Sequence, residues 1–148
     1  MTKAIYFDMD GTIADLYSVE NWLPKLRAHD ASPYMDAKPL VNLSALARRL
    51  HQLQREGYHI GIVSWQSKDP DVAYGEAVSE AKRAWLARHM PSVMWDEIKI
   101  VPYGTPKPSV VEYPQGILFD DEKPNREAWR RYGKAFDVNE ILSMMRSF

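Results

Sequence analysis

The sequence contains no cysteine, so disulfides and thiolate metal sites are excluded and a reducing cytoplasmic setting is the expectation. No apolar run approaches the ~20 residues that a membrane helix needs. An apolar strand is expected to begin within three residues of Met1, so no signal peptide is expected ahead of it. There is no run of basic residues and the net charge is −1, which argues against a surface built to hold nucleic acid by its phosphates. Internal repeats and low-complexity stretches are also missing. The four histidines, His29, His51, His59 and His89, fall in no metal-ligand spacing. What remains is an ordinary globular composition, 45% hydrophobic and 26% charged over 148 residues, most simply one domain with one core.

Against that background one stretch stands out, Ile5-Tyr6-Phe7-Asp8-Met9-Asp10-Gly11-Thr12. It reads as an apolar strand, two carboxylates two residues apart, and a glycine turn. Residues two apart on a strand point to the same side, so Asp8 and Asp10 should converge where the strand runs out, with Met9 turned away. Two like charges held together need a cation or a shared proton. Gly11 permits a sharp turn and close approach, and Thr12 adds a hydroxyl.

Along the chain, apolar strands alternate with helical patterns. Strands are expected at 3–8, 58–63, 98–101, 116–119 and 135–136. Leu43, Leu46, Ala47, Leu50 and Leu53 recur at helical spacing between an Asn42 cap and a Gly57 stop. Asp69-Pro70 reads as the cap of a second helix, running to about His89 with Ala77, Ala81, Ala84, Trp85 and Met90 on its apolar side. A short helix is expected at 109–111, another between Pro124 and Gly133, and a last one from Asp137 to Met145. Residues 13–41 read as a short insertion, a small cap-like element within a single 1–148 domain. It holds a helix over 18–26 capped by Ser18 and disturbed by Pro24, and loops at 32–34 and 38–39. Alternation of this kind implies parallel pairing through right-handed crossovers. The fold class is therefore α/β, a three-layer α/β/α Rossmann-like sandwich with a mainly parallel sheet. Such sheets bind ligands beyond the carboxyl ends of their strands, where Asp8, Asp10, Ser64, Asp120 and Asp121 all fall. Converging carboxylates without cysteine or a motif histidine suit a hard cation such as Mg²⁺.

Together, Asp8-Met-Asp10-Gly-Thr12, Ser64 after an apolar strand, Lys107 in a proline-bounded loop and Phe119-Asp120-Asp121 with Asn125 and Ala128 resemble the motifs of the haloacid dehalogenase-like (HAD) superfamily, in its phosphatase branch. Within it, Asp8-Met-Asp-Gly-x-x-Ala-Asp15 and Lys107-x-x-Val-Val111 are similar to the 5′(3′)-deoxyribonucleotidase type, although Thr12 stands where that type usually has Val and the insertion is shorter. The resemblance implies an Mg²⁺-dependent phosphomonoesterase. Asp8 would be the nucleophile that forms an aspartyl-phosphate, and Asp10 the general acid and base. Thr12, Ser64 and Lys107 would hold the phosphoryl group. Asp8, Asp10, Asp120 and Asp121 would form the metal shell, with Asp121 ahead of Asp120 as direct ligand and Asn125 in support. The substrate is expected to be a small metabolite such as a (deoxy)nucleotide monophosphate, with Trp22, Tyr34 and Trp65 as candidates for stacking on a base. The competing readings are a 3′-end nucleic-acid phosphatase and a non-catalytic phosphate-binding regulator.

Overall fold

The computed structural model describes all residues from 1 to 148. Its sheet is built on β1 (Ala4–Phe7), every residue of which is buried. On one side of β1 lies β4 (His59–Trp65), then β5 (Glu97–Val101); on the other lies β6 (Ile117–Phe119), then β7 (Lys134–Phe136). All four pairings are parallel. Side chains alternate across β1. Ile5 and Phe7 join one apolar cluster with the leucines of α3 (Leu43–Arg55) and with Ile141 and Met145 of α6 (Ile141–Ser147). Ala4 and Tyr6 join another with Trp129 of α5 (Lys123–Trp129). Helices thus cover both faces, as a sheet of parallel apolar strands requires. The α3 stripe is Leu43, Leu46, Leu50 and Leu53, and the Asn42 carboxamide oxygen accepts from the Ala45 N–H at 3.0 Å, as expected of a cap.

The order of strands reverses direction about β1. Crossovers leaving β1 and β6 therefore diverge, opening a crevice at the carboxyl end of β1. Phe7 is in register with Ile62 and Phe119, so Asp8, one residue on, lies beside the ends of both neighbours.

Several expectations need correction. The insertion has regular elements where loops are expected at 32–34 and 38–39. It contains α1 (Trp22–Arg27) and α2 (Ser32–Asp36), and β3 (Lys38–Pro39) pairs antiparallel with β2 (Ala14–Asp15) to close its base. Pro33 sits in the first turn of α2, where a missing N–H costs nothing. Pro24 lies near the start of α1, whose cap is Asn21 in the left-handed region rather than Ser18. In α4 (Val72–His89) the cap is Asp71, whose carboxylate accepts from Tyr74 N–H at 2.7 Å. The buried stripe of α4 is Tyr74, Gly75, Val78, Lys82, Trp85 and Leu86, so Ala77 faces solvent. Trp85 and Met90 are buried as expected and Ala81 and Ala84 are half-buried, so Ala77 alone departs, alanine fitting either face of a helix. Residues 107–109 form a 3₁₀ turn where a helix two residues later was expected.

Candidate active site

After β1 the chain turns back on itself. The Met9 carbonyl accepts from Thr12, Ile13 and Ala14 N–H at 2.9–3.1 Å, and Gly11 takes φ +76. A Cβ at Gly11 would run into the Asp121 carboxylate, so the glycine is needed for the approach of the two loops as well as for the turn. Met9 is buried in the core as its register dictates.

Asp8 and Asp10 both face a cavity of about 450 Å³. They do not share one counter-charge. Lys107 Nζ donates to Asp8 Oδ1 at 3.0 Å and to Asp120 Oδ2 at 2.6 Å. Lys82 Nζ lies 2.7 Å from Asp10 Oδ2. Both lysines are buried, at 4% and 1% exposure. Burial opposes the charge on Asp8, but Lys107 and then Lys82 outweigh it and hold its carboxyl below the usual range. Asp10 goes the other way, because burial and the Asp8 charge together exceed the pull of Lys82. Burial opposes the Lys107 ammonium too, yet Asp8 and Asp120 win and raise its pKa.

Asp8, Asp120 and Asp121 form a group whose carboxylate oxygens lie within 4.8 Å of one another. Burial and then the Asp8 charge push the Asp121 carboxyl up to about 8. The same two causes push Asp120 up to about 6 even against Lys107. The site holds four carboxylates, Asp8, Asp10, Asp120 and Asp121, against the two ammonium groups of Lys82 and Lys107. With all four ionised, two negative charges are left over, the charge of one divalent cation, and without such an ion the Asp10, Asp120 and Asp121 carboxyls are raised against that state. The donors at hand are all oxygen, which fits Mg²⁺.

Several expected site residues are placed differently from their expected roles. Asp10 belongs with Lys82 and lies outside the three-carboxylate group. Thr12 is fully buried, and its hydroxyl is engaged between Asp8 Oδ2 (3.1 Å) and Asp121 Oδ1 (3.2 Å) while accepting from Asp121 N–H. Its side chain braces the two acids and is not among the residues that line the cavity. Asp120 is also fully buried, with both oxygens bonded, to Lys107, Asn125 and the Glu122 N–H. Asp121 is the member of that pair that lines the cavity, as do Ser64, Lys107 and Asn125.

Of the three aromatic candidates, Trp22 and Trp65 form two walls. Trp22 meets Tyr17 edge-on with centroids 5.1 Å apart, and Trp65 packs on Tyr103 at 4.7 Å. Trp65 is fixed from behind by its Nε1–H donating to the Thr105 carbonyl at 2.8 Å. Tyr34 is different, being only 4% exposed and packed with Leu16, Tyr74 and Val78. With the Lys82 nitrogen 5.3 Å from its ring centroid as well, it leaves no face free for a base.

Lys82 is the site residue that motif reading missed. The signal was a lysine in phase with the apolar residues Val78 and Trp85 of α4. Tyr17, which also lines the cavity, carried no signal beyond its place in the insertion.

No protein-family model matches the chain, and no curated protein matches it either. Solved structures do. A D,D-heptose 1,7-bisphosphate phosphatase from Burkholderia thailandensis aligns with TM-score 0.60 and 13% identity over 99% of this chain and 98% of its own. The B. bronchiseptica D,D-heptose 1,7-bisphosphate phosphatase, complexed with magnesium and phosphate, aligns with TM-score 0.56 and 17% identity over 97% and 87%. A HAD-like protein from Mesorhizobium loti, proposed to be a phosphatase, gives 0.59 and 14% over 99% and 87%. The chain shares their fold, an α/β Rossmann-like sandwich. No helix is long and apolar enough to cross a membrane.

Proposed function

We propose that this protein is an Mg²⁺-dependent phosphomonoester hydrolase that works through an aspartyl-phosphate on Asp8, with a (deoxy)nucleotide monophosphate as the first substrate to test. The observation that carries the reading is the charge balance at the strand ends. Asp8, Asp120 and Asp121 bring carboxylate oxygens within 4.8 Å of one another, Asp8 and Asp121 line the cavity, and the fully ionised site exceeds its two lysines by two negative charges, which a divalent cation would offset. The fold shared with phosphatases, one of them solved with magnesium and phosphate, agrees with it.

Asp8, kept ionised by Lys107, attacks phosphorus, and the bond to the leaving oxygen breaks. Asp10, whose carboxyl burial keeps above the ordinary range, is suited to hand that oxygen a proton and later to take one from the water that hydrolyses the acyl-phosphate. Lys107 and Ser64 face the phosphoryl oxygens from the cavity wall. Asp8 and Asp121 would hold the metal, with Asp120 and Asn125 behind them, and the bound ion would supply charge screening for an anionic substrate.

Turnover of a panel of nucleotides, sugar phosphates, p-nitrophenyl phosphate and 3′-phosphorylated oligonucleotides tests this. Activity is expected with Mg²⁺, to vanish in excess chelator and to return weakly or not at all with Ca²⁺, whose looser coordination suits in-line transfer less well. Full activity in chelator would reject the metal assignment, and preference for the oligonucleotides would favour end-processing of nucleic acid. Metal binding also has a pH signature. The raised carboxyls of Asp120 and Asp121 stabilise the metal-free fold fully below their unfolded pKa, and this is lost as pH rises through about 6 and about 8. Saturating Mg²⁺ should therefore raise Tm by about 5–10 °C near pH 8 and by clearly less at pH 5. An equal shift at both pH values would contradict the placement of the ion among these acids.

Specificity is assigned to the two aromatic walls. Stacking on a base contributes ~1–3 kcal/mol. Trp22→Ala should lower kcat/KM for a preferred nucleotide by roughly ten- to a hundredfold and leave p-nitrophenyl phosphate nearly unchanged. Tyr34→Ala, by its burial, should affect both substrates alike. Equal losses on both substrates for Trp22→Ala would remove the nucleotide reading's main support.

A further inference from the structure

Lys82 lies on α4, far in sequence from every residue of the motifs, and takes no part in the steps above. A leucine or methionine would fill its place on the apolar stripe without the cost of burying an ammonium. An ammonium has three N–H donors and no acceptor. Here it donates to Ser64 Oγ at 2.8 Å and to the Trp65 carbonyl at 2.6 Å, and it is ion-paired with Asp10 Oδ2 at 2.7 Å. The Tyr34 ring lies 5.3 Å from the nitrogen and closes it from solvent. Lys82 does not line the cavity, whereas Ser64 and Asp10 do, so Lys82 acts through its partners.

The consequence falls on Ser64. A serine hydroxyl carries one hydrogen and can donate or accept. With Lys82 donating to it, the oxygen is an acceptor on that side, and its own hydrogen must be spent elsewhere. Ser64 makes no other side-chain hydrogen bond within the protein and lines the cavity. We propose that Lys82 is a positioning residue that turns the Ser64 hydroxyl into an obligate donor to a tetrahedral oxyanion in the cavity and, by the same nitrogen, sets the place of the Asp10 carboxylate beside it. The proposal rests on the phosphatase reading only for its substrate; the Lys82 contacts stand on geometry.

A double-mutant cycle tests it. In the otherwise unaltered protein, Ser64→Ala should weaken both kcat/KM for p-nitrophenyl phosphate and the affinity for inorganic phosphate, measured by calorimetry, by roughly tenfold. Lys82→Met should cost on the order of a hundredfold in kcat/KM, because Asp10 is released as well as Ser64. In the Lys82→Met background, Ser64→Ala should cost under about threefold in either measurement, since the hydroxyl there is already free to turn away. An undiminished tenfold cost of Ser64→Ala in that background would overturn the proposal, as would near-normal kcat/KM for Lys82→Met. If Lys82→Met does not fold, the cycle is run with Lys82→Arg, whose planar guanidinium cannot serve three acceptors from one nitrogen; the same loss of coupling is expected. An unmodified protein that binds phosphate and shows the coupling but turns over no ester would reject the phosphatase reading and keep Lys82's role. One that turns over esters with additive mutants would do the reverse. One that binds no phosphate and hydrolyses nothing would overturn both.

Discussion

Asp8→Asn is expected to yield a folded protein with turnover reduced by at least about ten-thousandfold, the scale of losing the group that bonds to substrate. The carboxamide keeps the volume of the side chain, and its oxygen still accepts from Lys107, which lies 3.0 Å from Asp8 Oδ1. The change removes one of four clustered acids and leaves Lys107 paired with Asp120, so the metal-free fold should not suffer. What disappears is the nucleophile. No neighbouring group replaces it. Asp120 is sealed behind Lys107 with both oxygens bonded, and Asp10 is held by Lys82. Comparable turnover in the purified variant, with its thermal unfolding unchanged, would remove Asp8 from the chemistry.

Lys107→Met should produce the second largest loss. Lys107 is the common partner of Asp8 and Asp120, and taking away one side of a buried ion pair typically costs about 3–5 kcal/mol of stability. For the metal-free protein this cost should appear in denaturant unfolding above the carboxylate range and shrink as pH falls and the two acids take up protons. For activity, loss of a fixed positive charge beside the developing oxyanion is expected to lower kcat by about a hundred- to a thousandfold. A pH profile separates that from simple misfolding. Lys107 leads the charges that keep the Asp8 carboxyl low; without it, burial pushes that carboxyl up, and the acid limb of kcat should move to higher pH. Lys107→Arg should recover part of the rate. An acid limb that does not move would show that Lys107 does not hold Asp8 ionised.

The strands that carry the site were legible because each is an uninterrupted apolar run ending on a polar residue: Phe7 before Asp8, Val63 before Ser64, Phe119 before Asp120. α3 was legible from its leucines and Asn42. The insertion was not. Pro33 and Pro39 look like breakers, yet Pro33 begins a helix and Pro39 pairs with Ala14, a contact made by distant chain that no local pattern announces. Thr12 is expected at the phosphate by resemblance alone, and the turn at Gly11 carries its hydroxyl inward between Asp8 and Asp121, a direction that no local pattern sets. Lys82 is the clearest case. Its meaning comes from Asp10 and Ser64, which the chain reaches through two other strands, and a helix rich in alanine leaves its own phase ambiguous.

The central claim is a covalent bond between Asp8 and phosphorus. The direct measurement is to mix the enzyme with Mg²⁺ and a saturating phosphate ester, quench in acid within the first turnovers, and locate any added mass by peptide mass spectrometry. The account predicts one phosphoryl group on the peptide that contains Asp8, converted to homoserine at position 8 by borohydride, and absent from Asp8→Asn. Turnover without any phosphorylated peptide, or a phosphoryl group on another residue that persists in Asp8→Asn, would contradict it.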